Sequence, residues 1–143
     1  MAANGSSLVI SLIPPQYIHD VWMQVAPLLE RALDRAPGRF GAGDMFMLLS
    51  RGEYQLWAVF ENEVIVASFT TRLYQTPQSK VCCIEWVGGA RLHEWIDNVV
   101  LIVESFARDN GCQKVEGHGR KGWHKAAVKH GWHELATTWE HDL

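Results

Sequence analysis

"EWVGGARLHEWIDNVVLIVESFARDNGC", residues 85–112, sets a strand end, two adjacent glycines and an arginine ahead of a long amphipathic pattern. Ile96, Val99, Val100, Val103, Phe106 and Ala107 recur at helical spacing, so a helix over about 92–110 should present one apolar face. Asn110 and Gly111 end it, because glycine enters the left-handed conformation that closes a helix without a Cβ penalty. Upstream, "VCCIEWV" (81–87) is rich in apolar and β-branched residues and reads as a strand. Strand, turn and helix therefore follow one another without a linker.

Working outward, "YQLWAVF" (54–60) and "VIVASFTTRLY" (64–74) flank the polar "ENE" and predict a hairpin that leads into the 81–87 strand. "LVISLI" (8–13) is a short strand stopped by Pro14 and Pro15, which have no N–H for a ladder. From Ile18, apolar residues at helical spacing through Leu33 predict a helix that Pro27 should kink or break. Asp44 is placed to cap a short helix over "MFMLLS". Late in the chain, "CQKVEGHG" (112–119) holds a short strand and "GWHKAAVKHG" (122–131) a short helix closed by Gly131. "WHELATTWEHDL" (132–143) should form a closing strand or pair. The order predicts an α+β fold, a mixed, mostly antiparallel sheet flanked by helices, as a single domain over residues 8–143 after a flexible opening of residues 1–7.

Composition narrows the function classes. Of 143 residues 48% are apolar and 20% charged, which suits one packed core. Uninterrupted apolar runs such as "VVLIV" fall far below the roughly 20 residues that cross a bilayer, so no membrane role is expected. The opening "MAANGSS" is too short and polar for a signal peptide, and the expected location is cytoplasmic. Three cysteines form no even framework, and adjacent Cys82 and Cys83 should point to opposite sheet faces as reduced thiols. A net charge of −3 argues against a surface that coats nucleic acid. Seven tryptophans imply large core pieces or a contact surface rich in anchors.

The element order, with "SFARDNGCQKV" leading into "KAAVKHGW", resembles the GNAT superfamily of N-acetyltransferases. More narrowly, "EWVGG", "HEWIDNVVLIVESFARDNGC" and "GRKGWHKAAVKHGWHE" look like small GNAT-like proteins of tailed phages and prophages. The resemblance implies a turn of pattern Arg/Gln-x-x-Gly-x-Gly/Ala before the main helix, where backbone N–H groups hold the pyrophosphate of acetyl-CoA at a positive helix end. Aligned on Ala107 and Gly111, that turn begins at Arg91, and its glycine positions carry Glu94 and Ile96. Gly88 and Gly89 fall earlier, at the strand end, where a turn or bulge accounts for them. The family's second signature supplies a tyrosine that protonates the leaving thiolate; with its Gly-Phe set on Gly131–Trp132, Ala127 stands in that place.

Two further constellations stand apart from this turn. His118, His124, His130 and His133 crowd one region, but the six-residue step from His124 to His130 does not stack ligands on a helix face, so no metal site is expected. Lys121, Lys125 and Lys129, at four-residue spacing beside Arg120, form a basic stripe that reads as a solvated face or as a grip for an acidic partner.

Two functions of different class follow. The favoured expectation is a non-catalytic GNAT-like phage or prophage protein, located in the host cytoplasm or associated with the virion. It would act through contacts with a phage or host protein in virion assembly or host-factor interference, with no cofactor. Nucleic acid is a less favoured partner. The alternative is an acyl-CoA-dependent N-acetyltransferase with an altered loop. There Val87, Gly89, Ala90, Arg91 and Leu92 hold acetyl-CoA and Glu85 serves as general base.

Overall fold

The structure is a computed structural model that describes residues 8–119 and 121–143. The expected flexible opening and Arg120 lie outside the described residues. Among the described residues, five strands form one sheet: β1 (Leu8–Ile13), β2 (Gln55–Glu61), β3 (Val64–Gln75), β4 (Lys80–Gly89) and β5 (Lys114–Gly117). They lie side by side in chain order. The first three pairings are antiparallel and β4–β5 is parallel, so a crossover through a helix is required between the last two. This is the expected mixed, mostly antiparallel α+β sheet with flanking helices.

Alternation along the strands makes two cores. Leu56 and Ala58 of β2 face α1 (Ile18–Leu33) and α2 (Ala42–Ser50), packing with Val25, Leu29, Met45 and Leu49. Trp57 and Val59 face the other way, with Phe69, Cys82 and Ile84, onto α3 (Leu92–Asp109). Cys82 and Cys83 lie on opposite faces as alternation requires, and all three cysteines are free.

The α3 helix carries the expected apolar face, with Ile96, Val99, Val100, Val103 and Ala107 buried. Trp95, absent from the sequence expectation, is also buried and donates its indole N–H to Ala90 O at 2.9 Å. Gly111 takes φ 75° and Cys112 N–H returns to Ala107 O at 2.9 Å, the expected αL closure. The same device ends α4 (His124–Lys129), where Gly131 has φ 85° and Trp132 N–H reaches Ala127 O at 2.9 Å.

Three expectations are corrected. The α1 helix runs through Pro27 without a break, because Pro27 sits on the exposed side while Val25, Leu29, Ala32 and Leu33 anchor the buried side. Asp44 is not the cap itself: it lies in the first turn of α2, and its carboxylate accepts the Gly41 N–H at 2.8 Å. Residues 132–143 contain no strand. Leu135 and Trp139, 79% and 90% exposed, have no apolar face on which to alternate, and Glu140 is drawn away to Arg39 at 2.6 Å.

Candidate active site

The site begins with a break in strand pairing. Ser68 pairs with Gly88 and Thr70 with Glu85, so Phe69 alone stands opposite Trp86 and Val87. This is a β-bulge, and Trp86 takes φ 55° within it. Beyond it the two glycines are fixed by close approach. A Cβ on Gly88 would lie 2.0 Å from Leu28 O of α1, and one on Gly89 would lie 2.4 Å from Ala67 Cα of β3. Both are needed for packing at the strand end, as their early register implied.

Glu85 is the last residue before the bulge and is 8% exposed. It faces the α1 and α2 side, in line with Leu56 and Thr70 on β2 and β3. Its neighbours on that face are polar. Arg72 Nε donates to Glu85 Oε1 at 2.7 Å, and His118 Nδ1 lies 3.2 Å from Oε2. Cys83 is opposite Arg72 on one side and Glu116 on the other, and the Tyr74 hydroxyl donates to Glu116 at 2.5 Å. The Arg72 guanidinium also lies 4.5 Å over the Tyr74 ring.

These contacts set the charges. Burial pushes the Glu85 carboxyl up, but hydrogen bonds from His118 and Arg72 outweigh it and hold the group below the ordinary range. The same bond to Glu85 raises His118 above the usual imidazole range. Burial, reinforced by the charge of Glu85, raises Tyr54, which packs at the edge of the α1–α2 core. The hydrogen bond to Glu116 leads in raising Tyr74, which is pushed up to about 12.

The turn at the start of α3 is closed by ion pairs. Arg91 takes the left-handed conformation, φ 62°. Its guanidinium reaches Glu61 at 2.7 and 2.8 Å and Glu94 at 2.7 and 3.1 Å. Both carboxylates are held below their usual range by the bonds from Arg91. Ala90 N–H goes to Val66 O at 3.2 Å, Gly89 is paired with Ala67, and Val87 O accepts from Arg35 at 3.4 Å. Leu92 opens the helix, where first-turn amides carry partial positive charge. Glu94 and Ile96 lie inside the helix, and Ile96 is 6% exposed.

The sheet's far edge supplies a second surface. His118 N–H bonds Ile84 O at 3.0 Å, extending the β4–β5 ladder by one step. A cavity of about 50 Å3 lies there, lined by Ile84, Gly117, His118, Trp123, Ala127 and Trp132 among others. The small Ala127 side chain leaves that space open, and His118 both borders it and contacts Glu85. Trp132 is tied to α3 by its indole N–H to Glu104 at 2.9 Å.

The basic stripe does not form on one helix. Lys121 belongs to a separate 3-10 turn and only its backbone is described, while α4 spans six residues rather than the expected 122–131. The turn intervenes because Trp123 folds onto Gly119, where a Cβ would meet the indole at 2.6 Å. Lys125 is exposed. Lys129 is bound to Asp97 on α3 at 3.2 Å, and His130 meets the same carboxylate at 2.8 Å. Those bonds hold Asp97 below its usual range.

Sequence reasoning selected Glu85 and Arg91 but missed Tyr54, Arg72 and His118 as partners of Glu85, Glu116 as the partner of Tyr74, and Glu61 as the partner of Arg91. One signal was available: Arg72 interrupts the otherwise uncharged "FTTRLY" of β3, and a charge inside a strand requires a buried counter-charge.

Solved structures of acetyltransferases are similar to this fold over almost the whole chain. They include an aminoglycoside acetyltransferase from an uncultured soil metagenomic sample in complex with sisomicin, with TM-score 0.69 and 14% identity over 96% of this chain and 97% of that one. A GCN5-related N-acetyltransferase from Ralstonia eutropha JMP134 gives 0.70 and 14%, over 94% and 98%. A predicted acetyltransferase from Clostridium acetobutylicum with acetyl-CoA gives 0.72 and 12%, over 94% and 96%. The fold is thus that of the GNAT acetyltransferases. No family model matches the chain, and no curated protein matches it in sequence. No helix among the described residues is long and apolar enough to cross a membrane.

Proposed function

We propose that the chain is an acyl-CoA-dependent N-acyltransferase with an altered pyrophosphate loop. The observation that carries this reading is Glu85, a buried charged residue at the bulge of β4, coupled to Arg72 and His118. Burying such a group costs stability, and apolar residues would fill the space as well, so its presence is better explained by chemistry than by packing.

An acyl-CoA would supply a thioester that acylates an amine. The residues fit its reactive end better than its phosphate end. The cavity beside His118 and Ala127 has room for a two-carbon acyl group, whereas Arg91 is occupied by Glu61 and Glu94. Weak donor binding follows, with the first-turn amides from Leu92 onward contributing more than Arg91. Glu85 holds Nδ1–H of His118 and leaves Nε2 to take the proton from the amine nitrogen. The bond to Glu85 raises the proton affinity of the imidazole, which strengthens it as a base. The same imidazolium then returns the proton to the departing thiolate, a role for which Ala127 has no side-chain donor.

The test is thiol release from acetyl-CoA at millimolar concentration in the presence of varied primary amines, with a thermal shift in parallel. Amine-dependent release that saturates supports the proposal. No release and no saturable shift would overturn it and favour the second reading, a non-catalytic GNAT-like phage protein working through protein contacts. The closed Arg91–Glu61–Glu94 cluster and the exposed Trp139 support that second reading.

A further inference from the structure

Cys83, Glu116 and His118 each direct a ligand atom to one place, and the three atoms lie within 4.8 Å of one another. They come from three parts of the fold that strand pairing brings together. Cys83 is in β4, Glu116 is its parallel partner in β5, and His118 follows two residues later on the same face. We propose that this cluster is a binding site for a borderline-soft divalent cation such as zinc, with thiolate, carboxylate and imidazole ligands and a fourth position left to water or a ligand.

Donor type, charge and orientation agree with that assignment. Thiolate, imidazole and carboxylate are the usual zinc donors, at about 2.0–2.3 Å from the ion, so tetrahedral ligands stand about 3.3–3.7 Å apart. The observed spacing needs a closure of about 1 Å, within reach of side-chain rotation on a short edge strand. One thiolate and one carboxylate neutralise a divalent ion, so the filled site carries no net charge into a half-buried location. The Arg72 guanidinium is the opposing charge nearby, and Glu85 already balances it at 2.7 Å.

The surrounding bonds are those that a metal site requires. His118 Nδ1 is turned to Glu85 at 3.2 Å, which fixes the ring and leaves Nε2, 4.0 Å from Glu116 Oε1, free to ligate. A carboxylate behind a histidine ligand is the common outer arrangement in zinc proteins. Tyr74 likewise steadies Glu116. The thiol of Cys83 is buried beneath these groups, and the way in passes His118, whose side chain is 62% exposed. Binding displaces the Cys83 proton to solvent and needs the neutral imidazole, so affinity should rise with pH.

Metal-free protein titrated with zinc chloride in a calorimeter tests the site, with cobalt(II) in parallel because thiolate ligation adds a charge-transfer band to its spectrum. The expected result is one saturable site whose affinity falls at least about tenfold in Cys83→Ser and again in His118→Gln, with Cys112→Ser unchanged. Absence of saturable binding, an affinity indifferent to Cys83→Ser, or a cobalt spectrum without the thiolate band would each overturn the proposal. His118 is exposed enough that His118→Gln should fold even if Cys83→Ser does not, and unchanged affinity in that variant is equally decisive. Zinc on Nε2 would block the proton transfer assigned to that atom, so the filled site is an inhibited state of the proposed enzyme; no acyl donor enters the measurement, so its outcome is read separately from that of the proposed reaction.

Discussion

His118 Nδ1 lies 3.2 Å from Glu85 Oε2, joining the residue just past the edge strand to the buried carboxylate of β4. The pair links stability to pH from both sides. His118 is raised from 6.5, so its contribution is complete below that value and is lost as pH climbs through the folded-state value. Glu85 is lowered from 4.5, so its contribution is present above that value and is lost as pH falls through the folded-state value. The pair therefore stabilises most between 4.5 and 6.5. Urea denaturation of the parent protein and His118→Gln across that range and above should show a gap that closes as the solution becomes alkaline. A gap constant through pH of about 9 would mean that the imidazolium contributes nothing.

Glu85→Gln keeps the volume and the hydrogen-bonding shape but removes the charge that orients and activates His118. Under the proposed reaction kcat should fall by roughly 10²–10⁴, with little change in KM for the acyl donor. Steady-state kinetics with a preserved far-ultraviolet spectrum is the check. Full activity would remove Glu85 from the mechanism.

Arg91 can be released from its carboxylates. Glu61→Gln combined with Glu94→Gln removes two negative charges at the start of α3, and a freed guanidinium should tighten acetyl-CoA binding by about tenfold. Calorimetry or the KM for the donor reads the change. Binding that stays as weak as before would place the phosphates elsewhere.

Gly88 has no room for a methyl group, since its Cβ would stand 2.0 Å from the Leu28 carbonyl oxygen. Gly88→Ala should destabilise by about 3 kcal/mol or more, because backbone rather than a movable side chain must give way. Equilibrium unfolding with an unchanged m-value would confirm it; a loss within about 0.5 kcal/mol would contradict the packing of α1 on β4.

Which parts of this arrangement were readable beforehand follows from the range of each signal. The α3 helix announces itself through a local repeat from Ile96 to Ala107 and a glycine stop, and the β2–β3 hairpin through two β-rich runs around a polar turn. Glu85 and Arg91 were reachable because they flank the strand–helix junction. Their partners were not, because Arg72 and His118 meet Glu85 only through strand register, with a bulge that shifts pairing between Ser68 and Thr70. The histidine cluster shows the same limit. The step from His124 to His130 argued against a metal, yet the proposed co-ligands of His118 are Cys83 and Glu116, one of them distant in the chain. The expected closing strand and the break at Pro27 failed because local propensity was read without knowing which surfaces remain to be covered.

The shortness of β5 has a dynamic consequence. Only four residues pair with β4, at the sheet margin and in the weaker parallel arrangement, while Glu85, Cys83 and Arg72 sit on interior strands. Amides from Lys114 to His118 should exchange with solvent deuterium well before those of β3 and β4, by a local opening that leaves both cores intact. Half of the polar cluster is then anchored and half is hinged on a margin that detaches cheaply, so a ligand too large for the closed cavity gains entry without global unfolding.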